Sequence, residues 1–483
     1  MVDDRLRPSR ALGFLLALGV WASGCQRSTP ATEDSEGDSE ADSTPDSTLD
    51  SDSGEPVEPT AVLALRPMAG QNVVVIQIDT LRADHLPFYG YARQTTPRIQ
   101  DLPWLVVTGL RPTAGWTLPS SASLMTGLSP QRHLLTFFYE KHMPSGPLQG
   151  VTFQERLQAL GHATGLFSGN DVVSEYTGLD VGFDKVVIRM KSTPDSGVNG
   201  GGSMETIASD ALAWIDTLPP GKPFHAHIQP MNLHQPVIVS QADLDMFRTG
   251  APTFPLGDSG GYEYTDFFGA YRDASSSAEK VALNQSLLDV YDAALYGLDR
   301  EIAIFIAGLD ARGLRANTTI VITADHGETL NDEYNGYWGH STDLREELTR
   351  APFMVLQPDG AAGTTTCVSS GTDVWPTLWG AMGLEPVADI DGVDLAKGCR
   401  VQADSNRFSP EGVTDASAGN EVGKIAVNCA AGRALGTNVG ADADRMEQTP
   451  ASDVNSGEAL SAQIRSVLDA IPASSGGVDC PFE

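Results

Sequence analysis

Two acidic residues stand at the ends of two apolar runs. Asp79 closes Asn72-Val-Val-Val-Ile-Gln-Ile78, and Asp325-His326-Gly327-Glu328 follows Thr318-Thr-Ile-Val-Ile-Thr-Ala324. Carboxylates and an imidazole are ligands for a divalent cation, hard oxygens suiting calcium, magnesium or manganese and the histidine also admitting zinc. If the two runs are neighbouring strands, the acids lie side by side. The bland reading of Asp325-His326 is a capped strand-to-helix turn. Thr117, in Trp116-Thr117-Leu-Pro119-Ser120, offers a hydroxyl at the start of a helix. There it is either a nucleophile that profits from the helix dipole or, like Ser120, a helix cap. His234 follows another apolar segment, Pro223 to Met231, and is the better site candidate there. His225 and His227, within the segment, share one face and read as core. Asp84 and His85 read as loop-positioning residues, with cation binding as the other use.

The elements that must position these residues are short β-branched runs alternating with helical patterns. The runs at 72–78 and 318–324 have the character of strands buried on both faces of a parallel sheet. In such a sheet ligands bind outside the carboxyl ends of the strands. Further strands are expected at Ala163–Ser168, Pro223–Met231 and Pro352–Leu356. Helices are expected at Thr152–Leu160, Met204–Leu218, Glu279–Ala311 and from Asp373. The alternation predicts an α/β fold with a doubly wound, mostly parallel sheet. Specificity is expected in an acidic, Gly-rich insertion, Leu244–Ser277, and in a loop, Asn331–Thr342, that carries Trp338-Gly339-His340.

With 483 residues the chain is long enough for a large core and a smaller unit. A formal charge of −32 excludes nucleic acid as the expected partner, because phosphate-backbone binding needs clustered Lys and Arg. It also means that an anionic substrate requires local positive charge, such as a metal. Arg5, Arg7 and Arg10 precede the apolar stretch Ala11–Trp21 and the small residues Ala22-Ser-Gly-Cys25. This is a secretory signal, too short to span a membrane. The small residues running into Cys25 resemble a bacterial lipoprotein signal, which implies cleavage before Cys25, acylation of it, and a membrane anchor outside the cytoplasm, periplasmic or on the cell surface. An ordinary signal peptide or hydrophobic anchor is the alternative. Residues 26–60 are nearly all Ser, Thr, Asp, Glu, Pro and Gly, the composition of an extended, unfolded tether. Cys367, Cys399, Cys429 and Cys480 lie together in the C-terminal quarter. In an exported chain they suggest two disulfides of unassigned pairing, since they lack the close spacing of a zinc site.

Taken in order, these residues resemble the sulfatase family of the alkaline-phosphatase superfamily. The matching stretches are Ile78-Asp79-Thr-Leu-Arg82-Ala-Asp84-His85, Tyr89-Gly90-Tyr91, Thr96-Pro97, Thr117-Leu-Pro119-Ser120, Leu124-Met-Thr126-Gly127, Gly182-Phe183-Asp184, His234-Gln-Pro236, Thr323-Ala-Asp325-His326-Gly327-Glu328, Gly339-His340, Arg350-Ala-Pro352 and Asp373-Val-Trp-Pro-Thr377. The resemblance covers roughly residues 70–395. It implies one divalent cation, usually calcium, held by Asp79, Thr117, Asp325 and His326. It also implies that His234 and His340 hold the substrate anion or protonate its leaving group. By position alone, residues 396–483 correspond to a small C-terminal α+β subdomain, with strands near 424–428 and 434–436 and a helix at 456–471. The chain thus divides into a signal (1–25), a linker (26–60), a catalytic domain (61–395) and that subdomain.

Two departures from the family pattern shape the expected chemistry. Sulfatases carry a Cys or Ser that is oxidised to formylglycine, followed four residues later by Arg. Here those positions are Thr117 and Ser121. Threonine cannot form that aldehyde, so no formylglycine is expected. Many sulfatases also have a second Asp directly after the first, where this chain has Thr80. A threonine ester cannot expel its group by collapsing to an aldehyde, so water must attack the sulfur or phosphorus itself. The expected activity is metal-dependent hydrolysis of an anionic sulfate, phosphate or phosphonate ester, glycan- or lipid-linked, with Thr117 as nucleophile. The rivals are a transferase that moves a phospho-group onto an envelope glycan, and a non-catalytic, sulfatase-like binding lipoprotein.

Overall fold

The Val- and Ile-rich run ahead of Asp79 is a strand, β1 (Asn72–Ile78), and each of its residues is buried. The computed structural model describes residues 63–437, apart from 68–70, 141–142, 191–201, 249, 251–253, 259, 333–334, 342–343, 359, 361, 401, 410–411, 420–423 and 429–432. Cys25, the 26–60 tether, Cys429, Cys480 and the expected helix at 456–471 lie outside the described residues.

Seven further strands join β1 in one sheet: β2 (Leu105–Arg111), β3 (Ala163–Ser168), β4 (Lys185–Ile188), β5 (Phe224–Gln229), β6 (Thr318–Ala324), β7 (Phe353–Leu356) and β8 (Gly363–Ser370). Their order is β8-β2-β7-β6-β1-β5-β3-β4. Only β7 runs against its neighbours, so the sheet is mixed but mostly parallel, as expected. The runs at 72–78 and 318–324 are adjacent and parallel at the middle of the sheet.

Helices cover both faces. The longer ones are α1 (Thr117–Thr126), α2 (Phe153–Ala159), α3 (Met204–Ile215), α4 (Gln241–Phe247), α5 (Tyr264–Asp273), α6 (Ser277–Ala311) and α7 (Val374–Ala381). Successive side chains of a strand point to opposite faces. On β5, Phe224 meets Trp214 of α3 and the next residue, His225, meets Trp375 of α7, so these helices lie on opposite sides. Phe153 of α2 stacks on Trp375 at 5.4 Å. Thr152 caps α2 in a reciprocal box with Glu155, which explains its abrupt start. The insertion expected as loop contains the end of α4 and all of α5. Among the described residues no helix is long and apolar enough to cross a membrane.

The strand pair expected near 424–436 is β11 (Lys424–Asn428) with β12 (Arg433–Thr437). Two more strands, β9 (Ala403–Ser409) and β10 (Gly412–Gly419), extend it to four antiparallel strands. The Asn406 N–H donates to Thr113 O at 2.8 Å, four residues before Thr117. A Cys367–Cys399 disulfide ties β8 to the segment leading into β9. It joins residues 32 apart in sequence, so its loss frees that stretch in the unfolded chain. Replacing both cysteines with serine is expected to lower the unfolding free energy by ~3 kcal/mol, read from urea melts with and without reductant.

Candidate active site

The pairing of β1 with β6 matches Ile78 to Ala324, so the chain leaves both strands at the same level. Asp79 and Asp325 are the next residues, 0% and 2% exposed. Ligand atoms of Asp79, Asp325 and His326 all fall within 4.8 Å of one another. His326 Nε2 lies 3.8 Å from Asp79 Oδ1 and 3.7 Å from Asp325 Oδ2. Neither of those carboxylate oxygens has a hydrogen-bond partner. Burial and the charge of Asp79 push the Asp325 carboxyl well above the usual carboxylate range. Burial opposes ionisation of Asp79 too, but His234, His326 and His340 outweigh it and its pKa is lowered. Two orphaned carboxylate oxygens around an imidazole nitrogen fit a divalent cation, the charge that such a buried pair needs.

The ring of His326 is oriented for that role. Its Nδ1–H donates to Gly327 O at 2.7 Å, which leaves the Nε2 lone pair facing the two acids. Burial, with the charge of His340, lowers its pKa to about 3, so it is neutral. Gly327 is needed for close approach: a Cβ there would strike the carbonyl oxygen of Glu347. Its N–H instead donates to Leu348 O at 3.0 Å.

Thr117 is the first residue of α1, a helix whose ten residues are all buried. The expected cap is corrected here. The cap position is Trp116, and no side chain caps the helix. The Ser120 hydroxyl turns back to donate to Ala114 O and accept from Ala114 N–H. Thr117 Oγ1 lies 3.3 Å from His326 Nε2, at the positive end of the helix dipole. Asn170, just beyond β3, donates through Nδ2 to Asp79 Oδ2 at 2.7 Å and to Thr117 Oγ1 at 3.4 Å.

His340 and His234 complete the cluster. The His340 ring lies 4.5 Å from the His326 ring and 5.1 Å from that of His234. His340 Nδ1 donates to Glu328 Oε1 at 3.0 Å. Burial would lower the pKa of His340, but Glu328, Asp79 and Asp325 raise it to about 9, so its ring carries a proton at neutral pH. Arg82 pins this loop to β1: it donates to Glu328 O and to both Asp332 oxygens, and also pairs with Asp84.

Residues 71–384 match the sulfatase family model. The chain belongs to the sulfatase family. A curated relative is the low-salt glycan biosynthesis sulfotransferase Agl7 of Haloferax volcanii, 28% identical over 331 residues, with 67% of this chain and 64% of the relative covered. Another is arylsulfatase A of Bos taurus, 26% identical over 361 residues, covering 67% of each chain. The chain thus spans about two thirds of the length of these relatives. Among solved structures, the phosphonate monoester hydrolase of Agrobacterium radiobacter aligns with a TM-score of 0.64 and 18% identity, covering 84% of this chain and 96% of that one. That likeness shows the fold.

The sulfatase-like residues Asp79, Thr117, His234, Asp325, His326 and His340 therefore gather at the carboxyl ends of β1, β5 and β6. Asp84 and His85 do not join them; His85 Nδ1 pairs with Asp292 at 2.7 Å, and both position loops. His225 and His227 are core residues of β5 that pack against Phe183, His225 also meeting Trp375. Ser121, at the family's Arg position, accepts from Gln77 Nε2 at 2.6 Å, and Gln77 Oε1 bonds His227. Thr80, at the second-Asp position, has φ +59° and donates its hydroxyl back to Asp79 O. Sequence reading missed Asn170, whose signal was a polar residue just past a strand end. It also gave no role to Glu328.

Burial opposes ionisation of Asp84, but the Arg82 guanidinium holds its pKa at about 2, against 3.8 ordinarily. A depressed carboxylate stabilises the fold above its unfolded pKa and stops doing so as pH falls to the folded one. Asp84→Asn should therefore cost ~2 kcal/mol near neutrality. In urea melts across pH, that deficit should shrink between about pH 4 and pH 2.

Proposed function

We propose that this chain hydrolyses sulfate, phosphate or phosphonate esters, with Thr117 as the nucleophile in place of formylglycine. The observation that carries the reading is Thr117 Oγ1 at a helix start, 3.3 Å from His326 Nε2 and beside two carboxylates with unpaired oxygens. Asp79, Asp325, His326 and Thr117 would hold a divalent cation, calcium first, with magnesium, manganese or zinc admitted by the donors. When bound, that cation supplies Lewis-acid polarisation of the ester and favours the ionised Thr117 hydroxyl.

The chain's own residues do the rest. Asn170 Nδ2 orients Thr117 Oγ1, and the dipole of α1 favours its anionic form, its proton having left to solvent. Oγ1 forms a bond to sulfur or phosphorus as the bond to the leaving oxygen breaks. His340 gives that oxygen its Nε2 proton, because Nδ1 is held by Glu328. His234 binds the non-bridging oxygens. Water then attacks the Thr117 ester, His340 Nε2 takes up its proton, and Oγ1 is released. The support for a second reading, group transfer to an acceptor hydroxyl, is the sulfotransferase among the relatives. We further propose that export and acylation at Cys25 place this chemistry at a membrane surface outside the cytoplasm.

The test is turnover of aryl sulfate, phosphate, phosphodiester and phosphonate esters by residues 61–483, with and without chelator. Thr117→Ala and chelation should each abolish hydrolysis, and His340→Gln should lower kcat by about 10²–10⁴-fold. Undiminished hydrolysis by Thr117→Ala overturns the nucleophile; turnover only with an added alcohol selects the transferase. Independently of activity, a divalent ion at about 100 times its Kd should stabilise the protein by ~2.7 kcal/mol in thermal melts. Asp325→Asn should show little of that gain.

A further inference from the structure

Thr80, the residue after Asp79, has a backbone that its own side chain disfavours. It is fully buried and sits in the left-handed region at φ +59°. That region crowds a β-branched side chain, so something outside the turn must hold it there. The Thr80 hydroxyl only closes back on Asp79 O, at 2.7 Å. The outside grip comes from α6, 211 residues further on. Tyr291 Oη donates to Thr80 O at 2.7 Å and accepts the Arg82 N–H at 2.9 Å. One hydroxyl thus bridges both limbs of the turn.

The phenol is held where it can do this. Tyr291 is fully buried, and its ring meets that of His85 edge-on at 4.9 Å. The next residue of α6, Asp292, pairs with His85, Tyr91 and Arg93, so the helix also grips the chain that follows the turn. Burial pushes the Tyr291 phenol well above its ordinary pKa, so it keeps the proton that it donates.

Both limbs of the turn lead to the acids. Asp79 directly precedes Thr80, and its N–H donates to Pro230 O at 3.2 Å. The Arg82 guanidinium reaches Glu328 O and Asp332, in the loop that follows Asp325 and His326. We propose that Tyr291 is a positioning residue for the cation site: by holding Thr80 left-handed, its hydroxyl aims the Asp79 carboxylate at the ion. It acts through Thr80 and Asp79, not by touching ion or ester. The inference rests on the metal reading for the ion, and adds a residue outside the ligand set that governs its affinity. Without the hydroxyl, residue 80 relaxes towards negative φ and Asp79 turns with it. Thr80→Gly removes the crowding, so the turn then no longer needs the phenol.

The test measures calcium binding to the protein by titration calorimetry, with manganese as a second probe. Tyr291→Phe, which keeps the buried ring, should raise Kd by about 10–100-fold. In the Thr80→Gly background the same change should raise it by no more than about twofold. Tyr91→Phe removes a different phenol bond to α6 and should leave Kd unchanged, which separates positioning from general loosening. Amide exchange at Asp79 reads that residue with no ion present, and should quicken by about tenfold in Tyr291→Phe. No ion binding in wild type, together with that quickening, sinks the metal reading and leaves the positioning role standing. A Kd unchanged in Tyr291→Phe, an equal rise in both backgrounds, or unchanged exchange at Asp79 overturns the role. Failure of Tyr291→Phe to fold in both backgrounds alike overturns it too, because the hydroxyl then serves the whole fold rather than the turn.

Discussion

The parallel pairing of β1 with β6 places two buried carboxylates side by side. Ile78 and Ala324 are partners, and Asp79 and Asp325 follow, both removed from bulk solvent. Like charges so close and so buried repel strongly, and one is driven towards its protonated form unless a cation compensates. The rest of the site answers that constraint. His326 presents a neutral nitrogen, Asn170 neutralises part of Asp79 with a donor, and the charged His340 faces the cluster. The unpaired oxygens are the remainder, and they suit a divalent ion.

Holding such a cluster requires a rigid frame. Arg82 is buried and joins the turn after β1 to the loop after β6 through Asp84, Glu328 and Asp332. Tyr291 of α6 donates to Thr80 O and accepts from the Arg82 N–H, holding the left-handed backbone at Thr80. Gly327 lets the His326 turn press against the Glu347–Leu348 backbone. The contacts of Arg82 with Glu328 and Asp332, and of Tyr291 with Thr80 and Arg82, join segments more than 200 residues apart, so the site depends on the fold of the whole sheet rather than on a local motif.

Thr117 is not the only departure from the sulfatase pattern in this helix. At the position where sulfatases place arginine, Ser121 belongs to a buried chain with Gln77 and His227. His340, paired with Glu328, brings positive charge to the site.

Much of this was written in the residues themselves. Strands buried on both faces are continuous β-branched runs, so β1, β3 and β6 were legible, as was the long helix ending at Ala311. The order of Asp79, Thr117, His234, Asp325, His326 and His340 pointed to the family that the chain belongs to. Periodicity reports which residues are buried, not which strands are neighbours, so only the fold decided that β1 and β6 pair in matching register. For the same reason Asn170, 91 residues from Asp79, and the bond of Glu328 to His340 were invisible. The cap assigned to Thr117 or Ser120 failed because cap preference is local, whereas here Ser120 is claimed by the Ala114 backbone. The pairing of Cys367 with Cys399 was likewise tertiary: it depends on a distance in space that spacing along the chain does not encode.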